Sequence, residues 1–236
     1  MRGVTVILTK GYNGKSRLHL NHKYIVKLID ALTFDLYQTI IKNKTCNDSW
    51  DYIIATPDHR LSHKCEKKNI PVLDLYPGEL NLIFQQIQNW AIKKGYDALI
   101  LCAGDIPLLQ GMLIDNIKRK LLEGHKKRGK SMVICPSTKN GVSILAMAPS
   151  DLWRISCYKG TDNLRIIKEL NHEIYPYEIF KDFRAYLDLD QYEDLSSALK
   201  YMDKHSINDN KKVRKVLHEI LTSDYTSLKF FEMKNE

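Results

Sequence analysis

The chain has 236 residues, 44% hydrophobic and 27% charged, with 36 basic against 28 acidic side chains for a net charge of +8. A chain of this length buries a sizeable core without a disulfide or metal staple, and no apolar run approaches the roughly 18 residues of a membrane span. The positive balance suits either an anionic partner (a nucleotide, a nucleic acid, a phosphorylated metabolite) or simple solubility.

Met1-Arg2-Gly3 and then Val4 to Leu8 is basic and then apolar. The apolar part is too short for a secretory leader and lacks a small-residue cleavage site, so the expectation is a buried first strand. The segment after it, Lys10-Gly11-Tyr12-Asn13-Gly14-Lys15-Ser16-Arg17-Leu18, carries two glycines and three cations. Glycine lets the backbone approach a ligand closely, and cations neutralise phosphates. Ligands of open α/β sheets bind at the carboxyl ends of strands, where this loop falls. Position 9 holds no glycine, so the GxxxxGK[ST] spacing is absent. The competing reading is a solvated basic turn.

From about His22 to Lys42, Ile25, Leu28, Ile29, Leu32, Leu36 and Ile40 recur at helical spacing. Tyr52 to Ala55 reads as a second strand, His59 to Lys68 as a short basic helix and Ile70 to Leu73 as a third strand. Glu79 to Lys94 is a helix with Leu80, Ile83, Phe84, Ile87, Trp90 and Ala91 on one face, and Gly95 is its stop signal. Its opening, Gly78-Glu79-Leu80-Asn81, offers Asn81 to a base or ribose, or is an ordinary helix start.

Ala98 to Cys102 is a fourth strand that runs straight into Ala103-Gly104-Asp105-Ile106-Pro107-Leu108-Leu109. A carboxylate at that position suits Mg²⁺, an ion usually held by one or two carboxylates plus substrate phosphates. Asp105 is equally placed to cap the helix beyond Pro107. Gly111 to Gly124 is that helix, followed by strands at Ser131 to Cys135 and Val142 to Ala148. Strand and helix in alternation argue for a parallel α/β sheet with helices on both faces.

Residues 151–187 are less regular and read as an insertion into the sheet layer. In Leu187-Asp188-Leu189-Asp190 the two carboxylates alternate with leucines and so share one side of an extended segment. That arrangement is costly unless a cation sits between them. Asp190 also fits an N-cap, with Glu193 as its capping-box partner. Gln191 to His205 and Lys211 to Thr222 are helices, joined by a polar hinge at Ser206-Ile207-Asn208-Asp209-Asn210. Residues 206–236 read as a C-terminal helix and tail packed on a single domain of residues 1–205. Phe230 and Phe231 are expected to dock on the protein's own surface or on a second subunit.

The basic runs Lys126-Lys127-Arg128-Gly129-Lys130 and Lys211-Lys212-Val213-Arg214-Lys215 read as solvated faces rather than a nucleic-acid groove. The eight histidines do not cluster. The five cysteines, Cys46, Cys65, Cys102, Cys135 and Cys157, form no CxxC pair, which argues against a zinc site or a disulfide framework and fits a reducing cytoplasm.

Taken in order, four features resemble one family: the Lys15-Ser16-Arg17-Leu18 loop, the Gly78-Glu79-Leu80-Asn81 helix start, the Ala103-Gly104-Asp105-Ile106-Pro107-Leu108 turn, and the segment from Leu187 to Leu195 with Asp188, Asp190, Glu193 and Asp194. The family is the 2-phospho-L-lactate guanylyltransferases of coenzyme F420 biosynthesis, which belongs with the molybdenum cofactor guanylyltransferases in a nucleotidyltransferase group of GT-A-like (Rossmann-like) fold. The likeness extends over about residues 3 to 202. It implies a mostly parallel central sheet and a transfer of GMP from GTP to a small phosphorylated acid with loss of pyrophosphate. By motif matching, Lys15, Ser16 and Arg17 hold the triphosphate with Lys10 nearby, and Asn81 contacts the nucleoside. Asp105 ligates Mg²⁺ together with Asp188 and Asp190, and Asp105, Lys15 and Arg17 are the catalytic set.

The acceptor half departs from the family pattern. A Gly-Thr-Asn stretch is here Gly141-Val142-Ser143, and valine cannot donate the threonine's hydrogen bond, so the acceptor site is either altered or borne by Ser143. A Gly-Ser-Phe segment with a following histidine is here Gly160-Thr161-Asp162, with Arg165 at the histidine position. Thr161 keeps a hydroxyl and Arg165 binds anions, while Asp162 repels them. The resemblance therefore leaves the acceptor open among 2-phospho-L-lactate, phosphoenolpyruvate and 3-phosphoglycerate. The alternatives are a nucleotidyltransferase of the same fold with another NTP or with a sugar phosphate or molybdopterin acceptor, and an inactive relative acting as a binding protein. A homodimer is compatible with the family.

Overall fold

The computed structural model describes residues 1–42, 49–154, 175–205, 207 and 209–232, with the side chains of Lys139 and residues 224–232 left aside. The strands are β1 (Gly3–Leu8), β2 (Trp50–Thr56), β3 (Val72–Asp74), β4 (Ala98–Ala103), β5 (Ser131–Pro136), β6 (Val142–Ala148) and β7 (Tyr177–Ile179). The helices are α1 (His22–Ile41), α2 (His59–Lys67), α3 (Leu80–Lys93), α4 (Gly111–Arg128), α5 (Phe183–Tyr186), α6 (Tyr192–Lys204) and α7 (Lys211–Glu232). One sheet has the order β3-β2-β1-β4-β6-β5-β7.

Strand β1 is buried along its whole length, which is why Gly3 to Leu8 carries no alternating polar residue. Its alternate side chains serve two cores. Ile7, with Tyr52, Ile54, Ile100 and Cys102, faces α1, α2 and α4. Val4, Val6 and Leu8, with Leu99 and Leu101, face Ile83, Phe84 and Ile87 of α3. A third cluster joins α1 to α6 and α7 through Leu28, Leu32, Leu195, Leu199, Val213 and Leu217.

Six strands run the same way and β6 runs against both neighbours. The sheet is thus mostly parallel, as expected, and β6 is its antiparallel member for a geometric reason. A parallel crossover needs a dozen or more residues, and only residues 137–141 separate β5 from β6. The irregular stretch after Asp151 does return to the sheet, as edge strand β7 on β5. Gly160, Thr161, Asp162 and Arg165 lie outside the described residues, as do Cys46 and Cys157.

Three local expectations are corrected. Gly124 does not end α4, which continues to Arg128 and stops at Gly129 with φ +69. Gly124 instead lets the helix press on β5, because a Cβ there would lie 2.2 Å from Ser131 Oγ. The N-cap of α4 is Gln110, so Asp105 is no cap. The cap of α6 is Gln191, and the reciprocal partner is Asp194, whose carboxylate accepts from Gln191 N at 2.7 Å and Asp190 N at 2.9 Å. Neither Asp190 nor Glu193 is spent on that cap.

The expected polar hinge is a buried anchor at two of its residues: Ile207 is 6% and Asn210 1% exposed. Ser206 and Asn208 lie outside the described residues. Asp35 of α1 accepts hydrogen bonds from the Lys212 and Val213 amides at 2.7 and 3.1 Å and so caps α7 from across the fold. The α7 backbone continues past Thr222 through Phe230 and Phe231, whose side chains are outside the description. Among the described residues, no helix is long and apolar enough to cross a membrane.

Candidate active site

Strands β1 and β4 are neighbours in the sheet, with Leu8 opposite Ala103. Their carboxyl ends therefore deliver the basic loop and the Asp105 turn to one place. Gly104 N donates to Leu8 O at 2.8 Å, and Leu189 N donates to Asp105 O at 3.1 Å. The second bond brings the distant Asp188–Asp190 segment alongside. A cavity of about 300 Å³ opens between them, with Lys10, Lys15, Arg17, Asp105, Asp188 and Asp190 on its polar side and Leu80 and Phe84 of α3 on an apolar wall.

The basic loop is bolted down rather than free. Asp58, which caps α2 through the Arg60 and Leu61 amides, also accepts from Tyr12 N at 2.9 Å. Tyr12 reaches Asp30 of α1 through its hydroxyl at 2.6 Å, and Lys64 of α2 meets the same carboxylate at 2.7 Å. Burial and the Asp30 carboxylate hold the Tyr12 phenol far above its ordinary range. Burial acts to raise Asp58, but the amide and Arg60 hydrogen bonds outweigh it and hold the carboxyl below the ordinary value. Gly11 turns the chain at φ +76 against this carboxylate, and a Cβ would lie 2.2 Å from Asp58 Cβ. Gly11→Ala combines a left-handed backbone penalty of about 1–2 kcal/mol with an overpacking penalty of about 1–3 kcal/mol. It is expected to lower unfolding stability by roughly 2–5 kcal/mol in denaturant titration. A variant with an unchanged midpoint would show that the loop is not held this way.

Lys15 is 9% exposed. Its ammonium donates to Asp105 Oδ2 at 2.6 Å, to Asp190 Oδ1 at 3.4 Å and to the Leu189 carbonyl. Burial pulls its pKa down, but the Asp105 and Asp190 charges prevail and hold it above the ordinary lysine value. Asp105 mirrors this: burial acts to raise it, and Lys15, with Lys10 behind it, holds it below the usual carboxylate range. Asp188 is the exception. Burial, with the charges of Asp105 and Asp190, pushes it up to about 6 against a hydrogen bond from Thr138 Oγ1. Arg17 is largely exposed at the cavity mouth, with a loose 3.9 Å approach to Asp190.

Not every sequence candidate lines the cavity. Ser16 is exposed on a 3₁₀ turn, and Asn81 lies on the first turn of α3, where Leu80 and Phe84 supply the wall. Ser143 does line it, but its hydroxyl donates to the Cys135 carbonyl at 3.2 Å, at the irregularity where β5 meets β6. Its proton is committed, so it offers an anion only lone pairs. Ser137 and Thr138 line the cavity and are absent from the sequence reading. The signal was available: a polar turn directly after an apolar strand, as at Lys10 and Asp105.

The donor set suits a hard divalent cation, since three carboxylates line one cavity and Asp188 is raised by burial and by the charges of the other two. As the side chains stand, no three of His, Cys, Asp and Glu converge as a chelate among the described residues, and an ammonium lies between Asp105 and Asp190.

Solved structures share this architecture. A protein from Desulfovibrio desulfuricans G20 assigned as a nucleotide-diphospho-sugar transferase superposes with a TM-score of 0.70 at 15% identity, covering 93% of this chain and 99% of that one. A cytidylyltransferase from Leptospira borgpetersenii gives 0.58 at 16% identity, covering 95% and 96%. A CMP:2-keto-3-deoxy-manno-octonic acid synthetase complexed with CTP gives 0.55 at 13% identity, covering 87% and 100%. At such identities the likeness is one of fold, and the fold is the GT-A-like one. The family model described as "Guanylyl transferase CofC like" matches residues 26–228. That span begins inside α1, so it contains Asp105, Asp188 and Asp190 but not the loop of Lys10, Lys15 and Arg17. With most of its length matched, the chain belongs to the guanylyl transferase CofC-like family and is a nucleotidyltransferase.

Proposed function

We propose that the protein is a Mg²⁺-dependent guanylyltransferase that moves GMP from GTP to a small phosphorylated carboxylic acid, as in coenzyme F420 biosynthesis. The observation that carries this is the meeting of Lys10, Lys15 and Arg17 with Asp105, Asp188 and Asp190 on one cavity at the carboxyl ends of β1 and β4. An acceptor phosphate oxygen forms a new bond to the α-phosphorus of GTP, the α–β bridging bond breaks, and the electron pair leaves with pyrophosphate. The nucleophile is already an anion, so no side chain has to remove a proton. The protein's task is positioning and charge neutralisation.

Lys10 and Arg17, both solvent-accessible, meet the triphosphate as it enters. Leu80 and Phe84 give one wall an apolar surface that excludes water from the phosphoanhydride. Asp105, Asp188 and Asp190 would hold the metal, which supplies Lewis-acid polarisation and neutralises the departing pyrophosphate. Ser137, Thr138 and Val142 flank the space on the β6 side, where the acceptor enters. The exchange of a threonine for Val142 favours an acceptor chosen among 2-phospho-L-lactate, phosphoenolpyruvate and 3-phosphoglycerate by contacts elsewhere. The buried free thiols of Cys65, Cys102 and Cys135, all pushed up by burial, suit a reducing cytoplasm.

Pyrophosphate release, measured with each NTP against each of the three acids in the presence of Mg²⁺, tests the reading. Release is expected with GTP and one acid. Release with CTP or ATP alone would replace the donor, and silence in every pairing despite GTP binding would favour an inactive relative.

A further inference from the structure

We propose that Lys15 is a tethered counterion that keeps the divalent metal off the free enzyme and yields its place only when metal and nucleotide arrive together. The proposal rests on the reading of Asp105, Asp188 and Asp190 as the metal's carboxylates. An ammonium has three N–H donors, and those of Lys15 are spent on Asp105 at 2.6 Å, Asp190 at 3.4 Å and the Leu189 carbonyl. The side chain is only 10% exposed, so solvent screens it little. A divalent ion bound by Asp105 and Asp190 would face this ammonium at a few ångströms, with both cations repelling each other across a poorly screened gap. The two therefore compete for the same oxygens. The ion must displace the ammonium, and an ion entering alone gives the displaced charge nowhere to go.

A triphosphate changes that balance. It brings negative charge for the metal and for the released ammonium at once. Lys15 sits on the loop that lines the cavity, between Gly14 and Arg17, so its head can turn from carboxylate to phosphate without leaving the site. The expected outcome is positive coupling: metal binds weakly to the free protein and tightly with nucleotide. Asp188, which keeps Thr138 as its hydrogen-bond donor and has no cation within ion-pair distance among the described residues, is the carboxylate left over when one ammonium serves two.

The test uses Mn²⁺ alone on the nucleotide-free protein, wild type against Lys15→Met and Lys15→Gln, with free Mn²⁺ read by electron paramagnetic resonance. Removing the ammonium is expected to tighten Mn²⁺ binding by about tenfold or more, because the metal no longer bears the cost of displacing it. Both variants are expected to melt below wild type without metal and to recover on adding Mn²⁺. The wild-type melting temperature should not move at the same concentration. A role confined to holding phosphate predicts unchanged Mn²⁺ affinity, and a merely structural ion pair predicts a melting deficit that Mn²⁺ does not repair. Either result overturns the proposal. Failure of Mn²⁺ to raise the melting temperature of any of the three proteins, with or without GTP, would instead remove the metal from these carboxylates and take the proposal with it.

Discussion

Asp105→Asn is expected to lower kcat by about 10³-fold or more. A metal ligand at the reacting phosphate contributes several kcal/mol of transition-state stabilisation, and each 1.36 kcal/mol is a factor of ten. Asparagine keeps the shape of the side chain and one acceptor oxygen, so the loss reports charge. Stability should fall as well. Lys15 would lose the negative charge of its 2.6 Å partner and keep as its ionic partner only Asp190 at 3.4 Å, beside the Leu189 carbonyl. About 3 kcal/mol is expected, the lower end of the range for breaking a buried pair, because a quarter of the Asp105 side chain faces solvent. Single-turnover kinetics and denaturant unfolding separate the two effects. A folded variant with wild-type turnover would remove Asp105 from the chemistry.

The candidate residues at the ends of β1 and β4 were legible because their apolar runs stop abruptly at charged or glycine-bearing turns. What the sequence did not display is that Lys15 and Asp105 touch. They are 90 residues apart, and the sheet order that sets β1 beside β4 passes over β2 and β3 on the other side. Cap assignments failed for a similar reason. Asp105, Asp190 and Glu193 have the right chemistry, but a cap is fixed by the backbone angles of one residue, and Gln110 and Gln191 hold those positions. The direction of β6 was in principle readable from the five-residue connection before it. The pairing of Thr138 with Asp188 is not legible, because Thr138 lies on a short turn between β5 and β6 and its partner is 50 residues away.

The 206–210 segment shows the limit most plainly, and it carries the second large expected effect. Its composition is that of a hinge, yet Asn210 is a buried three-way fastener. Its carbonyl oxygen accepts from Thr39 Oγ1 at 3.1 Å, and its amide donates to Pro107 O at 2.6 Å and Leu109 O at 3.2 Å. It thus ties α1 and the start of α7 to the turn that carries Asp105. Asn210→Ala strands one hydroxyl and two carbonyls in a space with almost no solvent access, at about 1–3 kcal/mol for each group left unpaired, so a loss of at least about 3 kcal/mol is expected. Asn210→Asp has the same volume but cannot donate, and it points charge at two carbonyl oxygens, so it should be no better than alanine. Turnover should fall too, since a displacement of about 1 Å in the Asp105 turn can cost up to about 10²-fold. The control is one residue away. Asp209 meets Lys42 at 3.0 Å in a pair whose lysine is 71% exposed, and such a pair contributes at most about 1 kcal/mol. Asp209→Ala should therefore leave both stability and rate nearly untouched. Equal, small effects at 209 and 210 would return the segment to the solvated hinge that its composition suggests. A large asymmetry would show that the active-site turn is held in place from the far end of the chain.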